Sequence, residues 1–179
     1  ILVEYNDLPK HAINSIIAIE DERFFSHKGV DIKRTAGAIF TYITNNGKSD
    51  FGGSTITQQL VKNITKDKES SITRKIREWI RALKLEKVMK KEDIFLAYVN
   101  TIYFGEGSYG IEVASKNYFG KSIKDLNIAE AAIMAAAIQS PESTNPYKSE
   151  ESKNRLLDRQ KVVLNKMLQL GFITQEEFQ

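Results

Sequence analysis

One nearly uninterrupted apolar stretch, IAEAAIMAAAI at 128–138, constrains the fold of this chain more than any other feature. It is shorter than the roughly 18 to 20 residues that a helix needs to span a bilayer, and it carries Glu130. The stretch therefore predicts a helix that is buried in a protein core. A chain of 179 residues, of which 41% are apolar, is long enough to supply that core as one medium-sized domain.

Apolar residues recur at helical spacing through most of the remaining sequence. This periodicity predicts helices at 11–25, 31–44, 54–64, 70–91, 92–104, 126–139 and about 150–170. The polar, glycine-rich segment NNGKSDFGG at 45–53 predicts a loop with one short β-ribbon near it. The sequence has no repeat and no alternation of strands with helices, so we expect a single, mainly α domain.

Composition limits the partners and cofactors of the chain. The formal net charge is +3 and the pI is about 8.9, which permits an anionic partner such as a membrane surface. We expect no nucleic acid and no organic cofactor. The absence of cysteine excludes disulfides and thiolate metal sites, and two histidines leave little room for a histidine-based metal site.

The two ends of the sequence indicate a fragment. Gly171 is typical of a residue that follows a helix, and Thr174 with Glu177 then forms a capping-box pattern that opens another helix. The chain stops as that helix begins, and it starts with Ile rather than Met. We therefore expect residues 1–179 to form one domain of a longer protein.

The stretch AIEDERFFSHKGVD at 18–31 contains three consecutive acidic residues. On a helical wheel Glu20 lies on the apolar face, Glu22 on the solvent side and Asp21 on the flank. The apolar face also contains Ile13, Ile16, Ile17 and Phe24. Desolvation there would raise the pKa of the Glu20 carboxyl, as a general acid or base near neutrality requires. The alternative is a carboxylate at a helix end that pairs with Arg23 or His27.

Two other residues of this stretch are expected to have structural roles. His27 is more typical of a residue that fixes a turn than of a ligand or a titrating group. Asp31 precedes IKRT and is expected to cap the helix at 31–44.

A dense polar set follows in GGSTITQQLVKN at 52–63. Thr55 and Gln58 form a capping-box pattern after two glycines, and a helix start of this kind suits an anionic group. The pattern by itself is weak evidence for an anion-binding site, because many loops enter helices in this way. A residue such as Lys62 is more often a surface cation than part of a binding site.

Arg74, Lys75 and Glu78 lie three and four residues apart on the next predicted helix. One interpretation is a set of surface ion pairs, each contributing a few tenths of a kcal/mol. The other is a cation cluster that holds a diphosphate, with Glu78 orienting the cations or helping to hold a divalent metal such as Mg²⁺ or Mn²⁺. The spacing alone favours the interpretation as surface ion pairs. Asn100 and Tyr103, near other aromatics and glycines, suit either a sugar-binding cleft or a helix-packing corner.

Five stretches, taken together and in order, resemble the peptidoglycan glycosyltransferase domain of class A penicillin-binding proteins and monofunctional glycosyltransferases. They are AIEDERFFSHKGVD, GGSTITQQLVKN, RKIREWIRALKLE, IFLAYVNTIYFG and GIEVASKNYFGKSIKDLNIAEAAIMAAAIQSP. The match runs from about residue 10 to 175. The resemblance implies a lysozyme-like α fold with a large lobe and a smaller, membrane-facing lobe. It also implies a parent protein that is anchored in the cell membrane and acts on its extracytoplasmic face.

The resemblance further implies polymerisation of lipid II, a disaccharide-pentapeptide on an undecaprenyl diphosphate, with the growing glycan strand as donor. Glu20 matches the family's base, which deprotonates the 4-hydroxyl of the acceptor GlcNAc, and Glu78 matches a second glutamate near the diphosphate. The family's cations that steady the leaving group match Lys62, Arg74 and Lys75. The positions that line the cleft match Ser54, Gln58, Asn100 and Tyr103.

Two segments outside the catalytic positions also carry expectations. The loop at 45–53 could act as a lid on an open-ended cleft. The preceding TAGAIFTYIT at 35–44 is apolar enough to dip into the lipid interface and bring the cleft to a lipid-borne substrate.

The fifth block departs from the family pattern because AAAIQSPESTNPY at 135–147 lacks the usual Leu-Pro. This difference concerns a structural turn more than the chemistry. A competing interpretation is a lysozyme-like hydrolase or lytic transglycosylase that uses Glu20 as an acid on finished glycan. A third is a helical scaffold that has lost activity. Whether the parent protein also carries a transpeptidase domain is left open by the resemblance.

Overall fold

The computed structural model describes residues 1–44, 53–66 and 71–179, and of 38–43 it describes the helix alone. Within these ranges about two thirds of the residues are helical and no strand is present, which confirms the expected mainly α fold. The α-helices are α1 (Lys10–Glu20), α2 (Ile32–Thr44), α3 (Ile56–Thr65), α4 (Ile72–Val88), α5 (Lys91–Thr101), α6 (Ile111–Phe119), α7 (Ile128–Ala137), α8 (Glu150–Gln169) and α9 (Gln175–Phe178). The β-ribbon and lid predicted around 45–53 fall almost wholly outside the described residues.

Capping signals set several helix boundaries where the sequence predicts them. At the start of α3, the Thr55 hydroxyl accepts a hydrogen bond from the Gln58 N–H at 3.1 Å, and the Gln58 side chain accepts one from the Thr55 N–H at 2.9 Å. Thr174 and Glu177 form the same reciprocal pair at the start of α9. Gly171 follows α8 with a φ of +69°, a conformation that favours glycine.

After α1 and after α5 the chain leaves the helix before the predicted end. The first ends at Glu20 rather than at residue 25, because Asp21 turns the chain out of helical geometry with φ −162° and ψ 75°. Helix α5 ends at Thr101 rather than at residue 104. The chain then enters a tight turn in which the Phe104 N–H donates to the Ser108 carbonyl. In both places a turn overrides an apolar pattern that continues past the helix end.

The larger of two compact units consists of Ile1–Glu22 and Val99–Gln179. Its centre is α7, on which both α1 and α8 pack. The buried residues of α7 are Ala131, Ala132, Met134, Ala135, Ala136 and Ala137. Small side chains let the neighbouring helices approach closely, and the buried helix predicted from 128–138 is confirmed.

The second compact unit is Arg23–Tyr98, in which α3 packs against α4. Its buried apolar side chains include Phe24, Ile56, Leu60, Ala82, Ile94, Phe95 and Tyr98. The loop at 23–31 lies so close to α4 that a Cβ on Gly29 would sit 2.7 Å from the Ala82 carbonyl oxygen. The Thr55 hydroxyl donates to the Gly29 carbonyl at 2.7 Å, so the same glycine is tied to the start of α3.

Within the described residues, none of the helices combines the length and the apolar character that crossing a bilayer requires.

Candidate active site

Glu20 is the last residue of α1, and its side chain is only 8% exposed. Ile16 and Ile17, which share its face, are also buried, and Ile13 is half-buried. Glu20 therefore lies on the buried side of α1, as the helical wheel predicts. Phe24 follows the end of α1 and belongs to the second unit, so the helical wheel does not extend to it.

The two acids that follow Glu20 differ from the expectation. Asp21 is fully buried rather than on a flank, and Glu22 is an ion-pair partner rather than a solvated charge. The Glu22 carboxylate lies 2.7 Å from the Lys166 ammonium of α8. The wheel misplaced both residues because it continued a helix that ends at Glu20.

The loop after Glu20 is held by the side chains expected to fix it. The His27 Nδ1 accepts a hydrogen bond from the Gly29 N–H at 3.0 Å, and Asp31 caps α2 by accepting one from the Arg34 N–H at 3.1 Å. Arg23 pairs with Asp31 at 2.7 Å. Burial alone would raise the pKa of Asp31, but its hydrogen bonds with Arg23 and Arg34 outweigh burial and hold that pKa below its ordinary value.

Glu78 is the centre of a cation cluster in the second unit, and it is only 4% exposed. One carboxylate oxygen lies 2.7 Å from the Arg74 guanidinium, and the other lies 2.5 Å from the Lys75 ammonium. Lys75 also donates to the Ser54 hydroxyl at 2.6 Å, and the Gln58 amide lies 3.4 Å from Glu78. The structure thus brings together four of the predicted site residues around the second glutamate. Because Glu78 is buried, these contacts are more than exposed surface ion pairs.

Lys62 joins this cluster from α3. A shallow depression in the second unit has Lys62 on one side and Arg74, Glu78 and Arg81 of α4 on the other. Val61 and Thr65 complete its lining. Three cations and one carboxylate therefore border a single open surface, a charge balance that suits an anion.

Glu78 is also the residue expected to hold a divalent ion, and its surroundings do not fit that role. Both of its oxygens already face the cations Arg74 and Lys75, whereas Mg²⁺ and Mn²⁺ prefer oxygen ligands that bring negative charge. The described residues also contain no group of three or more His, Cys, Asp or Glu side chains able to hold a metal. We therefore derive no step through a resident metal.

Asn100 and Tyr103 are engaged in contacts within the first unit. The Asn100 side chain accepts a hydrogen bond from the Val3 N–H at 3.0 Å and donates one to the Val3 carbonyl at 3.1 Å. Asn100 therefore has a structural role. The Tyr103 hydroxyl donates to Glu142 at 2.8 Å, and its ring centroid lies 4.9 Å from that of Tyr109. The hydrogen bond to Glu142 raises the pKa of Tyr103. A role for either residue in binding substrate stays a prediction.

Comparison with known proteins places this chain in a family. Residues 1–168 match the family described as "Transglycosylase", which is far more than half of the chain. The chain belongs to the transglycosylase family. This membership confirms the resemblance of the five sequence stretches and the enzyme class that they imply, a peptidoglycan glycosyltransferase.

This transglycosylase is similar to one part of several longer proteins. It is 48% identical to penicillin-binding protein 1A of Clostridium tetani, over 99% of the chain and 23% of that protein. It is 40% identical to penicillin-binding protein 1A of Aquifex aeolicus, over 99% of the chain and 24% of that protein. The crystal structure of penicillin-binding protein 1A from Haemophilus influenzae is 29% identical, with a TM-score of 0.46 over 69% of this chain and 15% of that one. The chain thus spans less than a quarter of each of these relatives.

The transglycosylase contains two charged residues near its candidate sites that the sequence did not single out. Arg81 follows Glu78 by three positions on α4 and borders the same depression. Because residues three apart lie on the same face of a helix, this spacing could have predicted its place beside Glu78. Burial lowers the pKa of Arg159 of α8, and the charge of Glu20, 139 positions away in the sequence, acts in the opposite direction. No local pattern could have predicted that second relation, which depends on how α8 packs on α1.

Proposed function

We propose that this transglycosylase domain joins lipid II units into glycan strands. The growing strand on its undecaprenyl diphosphate is the donor, and lipid II is the acceptor. The 4-hydroxyl of the acceptor GlcNAc loses its proton to Glu20 while its oxygen bonds to the anomeric carbon of the donor. The bond from that carbon to the diphosphate breaks on the opposite face, so the configuration inverts and a β-1,4 linkage forms.

The cation cluster around Glu78 is the observation that carries this proposal. Departure of the diphosphate leaves added negative charge on its oxygens, and cations must neutralise that charge if no strong acid protonates it. Lys62, Arg74 and Arg81 border one depression, and Lys75 lies beside Arg74 on the same carboxylate. A glycan hydrolase acting on finished strands has no diphosphate to hold.

Within the cluster, Glu78 is proposed to aim the cations rather than to bind the substrate. Its two oxygens separate Arg74 from Lys75 and limit the directions that their long side chains can take. Ser54 and Gln58 extend the same network and are proposed to support donor binding through it. If a divalent ion takes part, it is expected to arrive on the diphosphate.

Exposed apolar side chains of the second unit support contact with the membrane that carries the substrate. Ile72, Ile76, Ile80 and Leu83 are between 43% and 78% exposed along α4, and Ile32 at the start of α2 is 79% exposed. Apolar groups beside cations suit an anionic membrane surface. We propose that the parent protein is membrane-anchored, works on the extracytoplasmic face and also carries a transpeptidase domain.

Two parallel reactions test the proposed function. The purified chain is incubated with lipid II alone and, separately, with finished glycan strands, and the products are separated by length. Growth of strands from lipid II with release of undecaprenyl diphosphate is the expected result. Cleavage of finished strands without growth would instead support the hydrolase.

A matched pair of variants ties the activity to the cation cluster. Lys62→Ala removes an exposed cation that borders the depression, whereas Lys161→Ala removes an exposed cation of α8 in the other unit. Strand growth should fall in the first variant and stay near the wild-type rate in the second. Equal rates in the two variants would contradict a diphosphate site at the depression.

A further inference from the structure

A buried polar cluster of the second unit takes no part in the proposed chemistry. Its members are His27 from the loop at 23–31, Thr57 from α3, Glu86 from α4 and Lys91 from α5. The His27 and Glu86 side chains are 7% and 6% exposed, and Thr57 is fully buried. Polar groups at this depth are costly unless they are bound, so their contacts indicate what the cluster does.

Two donors converge on the Nδ1 of His27 and fix its protonation state. The buried Gly29 N–H donates to Nδ1 at 3.0 Å, and the Lys91 ammonium lies 3.4 Å from the same atom. A backbone N–H and an ammonium can only donate, so Nδ1 must offer them a lone pair. The ring therefore carries its proton on Nε2 and is neutral.

Glu86 would draw a proton to His27 if Lys91 did not neutralise it. One Glu86 oxygen lies 3.8 Å from the His27 Nδ1. The same oxygen accepts a hydrogen bond from the Thr57 hydroxyl at 2.5 Å and lies 2.7 Å from the Lys91 ammonium. That ammonium also lies 4.5 Å from the centre of the Phe24 ring, which helps to hold it in place.

The other charged groups of the loop at 23–31 are bound or exposed. Arg23 and Asp31 pair with each other at 2.7 Å, and Asp31 also accepts a hydrogen bond from the Arg34 N–H. The Lys28 side chain is exposed. The charges that bear most closely on the ring are therefore those of the Glu86–Lys91 pair.

Gly29 connects His27 to the start of α3. Its N–H is bound by His27, and its carbonyl accepts from the Thr55 hydroxyl that caps α3. The backbone of Gly29 also packs so tightly on Ala82 that the loop has little room to shift. Loss of the bond to His27 therefore weakens the hold of the loop on Thr55.

The start of α3 in turn contacts the cation cluster around Glu78. Ser54, directly before Thr55, accepts a hydrogen bond from the Lys75 ammonium at 2.6 Å, and the Gln58 amide lies 3.4 Å from Glu78. A continuous series of contacts thus joins the buried histidine to the residues proposed to hold the diphosphate of the donor.

We propose that His27 is a positioning residue of the donor site and that it acts only in its neutral form. The inference rests on the proposed function, in which the cations around Glu78 hold the diphosphate. A proton on Nδ1 would oppose the Gly29 N–H and the Lys91 ammonium, and the ring would turn to Glu86 instead. Gly29 then loses its anchor, the start of α3 loosens, and the affinity for the diphosphate falls. The charge of a histidine ordinarily changes between about pH 5 and 8, so mild acid should weaken the donor site.

Nitrogen-15 NMR of the imidazole rings tests the first step without any substrate. The chain has two histidines, and the other one, His11, has its Nε2 2.6 Å from the Leu126 carbonyl. A carbonyl only accepts, so His11 keeps that bond in either charge state and serves as the internal control. At neutral pH the His27 Nδ1 should be unprotonated, and protonation of His27 alone should shift the Gly29 amide resonance. A proton on Nδ1 at neutral pH, a Gly29 amide that does not respond, or a ring that stays neutral until the chain unfolds would overturn the inference.

Three variants test the link to the diphosphate. His27→Asn keeps an acceptor at the position of Nδ1 but cannot take up a proton, whereas His27→Leu removes the acceptor. His11→Gln keeps a donor at the position of Nε2 and is the matched control. The affinity for farnesyl diphosphate, a soluble polyprenyl diphosphate, is measured by calorimetry at about pH 7.5 and about pH 5.5.

Acidification should weaken binding to the wild-type chain and to His11→Gln about fivefold more than binding to His27→Asn, the effect of one lost hydrogen bond. Protonation of the probe itself is common to every chain and cancels in this comparison. His27→Leu should bind weakly at both pH values. Equal acid responses in the wild-type chain and His27→Asn would overturn the inference.

Lys91→Met supplies a second comparison if melting curves show that His27→Asn is unfolded. Without the ammonium, Glu86 faces His27 unopposed and favours the charged ring. Binding should then begin to weaken at a higher pH than in the wild-type chain. An unchanged pH dependence in Lys91→Met would contradict the role given to the Glu86–Lys91 pair.

The two readouts separate this inference from the proposed function. A wild-type chain that neither binds farnesyl diphosphate nor extends strands from lipid II would refute the proposed function and with it the donor role of His27. The protonation state of the ring and the response of Gly29 would remain measurable. Normal strand growth with the same acid response in His27→Asn would refute the role of His27 alone.

Discussion

Replacing Thr55 by valine removes two hydrogen bonds at the start of α3 while almost preserving the volume of the side chain. The Thr55 hydroxyl caps α3 by accepting from the Gln58 N–H at 3.1 Å, and losing such a cap costs about 1 kcal/mol. It also donates to the buried Gly29 carbonyl at 2.7 Å, and an acceptor left without that donor costs about 1 to 3 kcal/mol. We expect Thr55→Val to lower the free energy of unfolding by about 2 to 4 kcal/mol.

Urea denaturation followed by circular dichroism measures this loss, and two variants serve as controls. Thr174→Val removes the same capping interaction from α9, where the side chain is exposed, and should cost about 1 kcal/mol or less. Thr55→Ser keeps the hydroxyl and should recover most of the loss. If Thr55→Val were no more destabilising than Thr174→Val, the bond to Gly29 would not hold the loop as described.

The remaining predictions concern a cation, a glycine and a tyrosine. Lys62→Ala should raise the KM for the donor about tenfold and that for the acceptor less, and equal effects in steady-state assays would contradict the diphosphate role. Gly29→Ala puts a methyl group 2.7 Å from the Ala82 carbonyl oxygen at a φ of +99°, so it should cost about 3 kcal/mol or more in urea denaturation. Gly120→Ala, at a φ of +67° with open space around it, should cost only about 1 kcal/mol. Burial raises the pKa of Tyr118 to about 12, so Tyr118→Phe should remove one of the seven tyrosines from the late part of an absorbance titration. Because the folded pKa is the higher one, the stability that this group contributes is complete below the free value of 10.0 and is lost as pH rises towards 12.

Features that depend on neighbouring residues in the sequence were predicted well. The buried helix at 128–138 follows from composition, and the capping boxes at Thr55 and Thr174 follow from residue types three positions apart. The contacts of Glu78 with Arg74 and Lys75 follow from helical spacing in the same way. In each case one element contains the whole interaction, so its sequence is sufficient.

Features that depend on packing between distant segments were missed or misjudged. The end of α1 at Glu20 and the full burial of Asp21 depend on tertiary contacts that override a continuing apolar pattern. The ion pair of Glu22 with Lys166 joins residues that are 144 positions apart. Bringing Lys62 to the cations of α4 likewise requires α3 to pack on that helix, which no periodicity specifies.

Strand growth from lipid II by a Glu20→Gln variant tests the central claim most directly. Glutamine keeps the size of the buried side chain at the end of α1 but cannot accept a proton from the acceptor hydroxyl. We predict that polymerisation falls by a factor of about 100 or more, while the melting temperature stays near that of the wild-type chain. Wild-type turnover in a folded Glu20→Gln variant would contradict the assignment of Glu20 as the base.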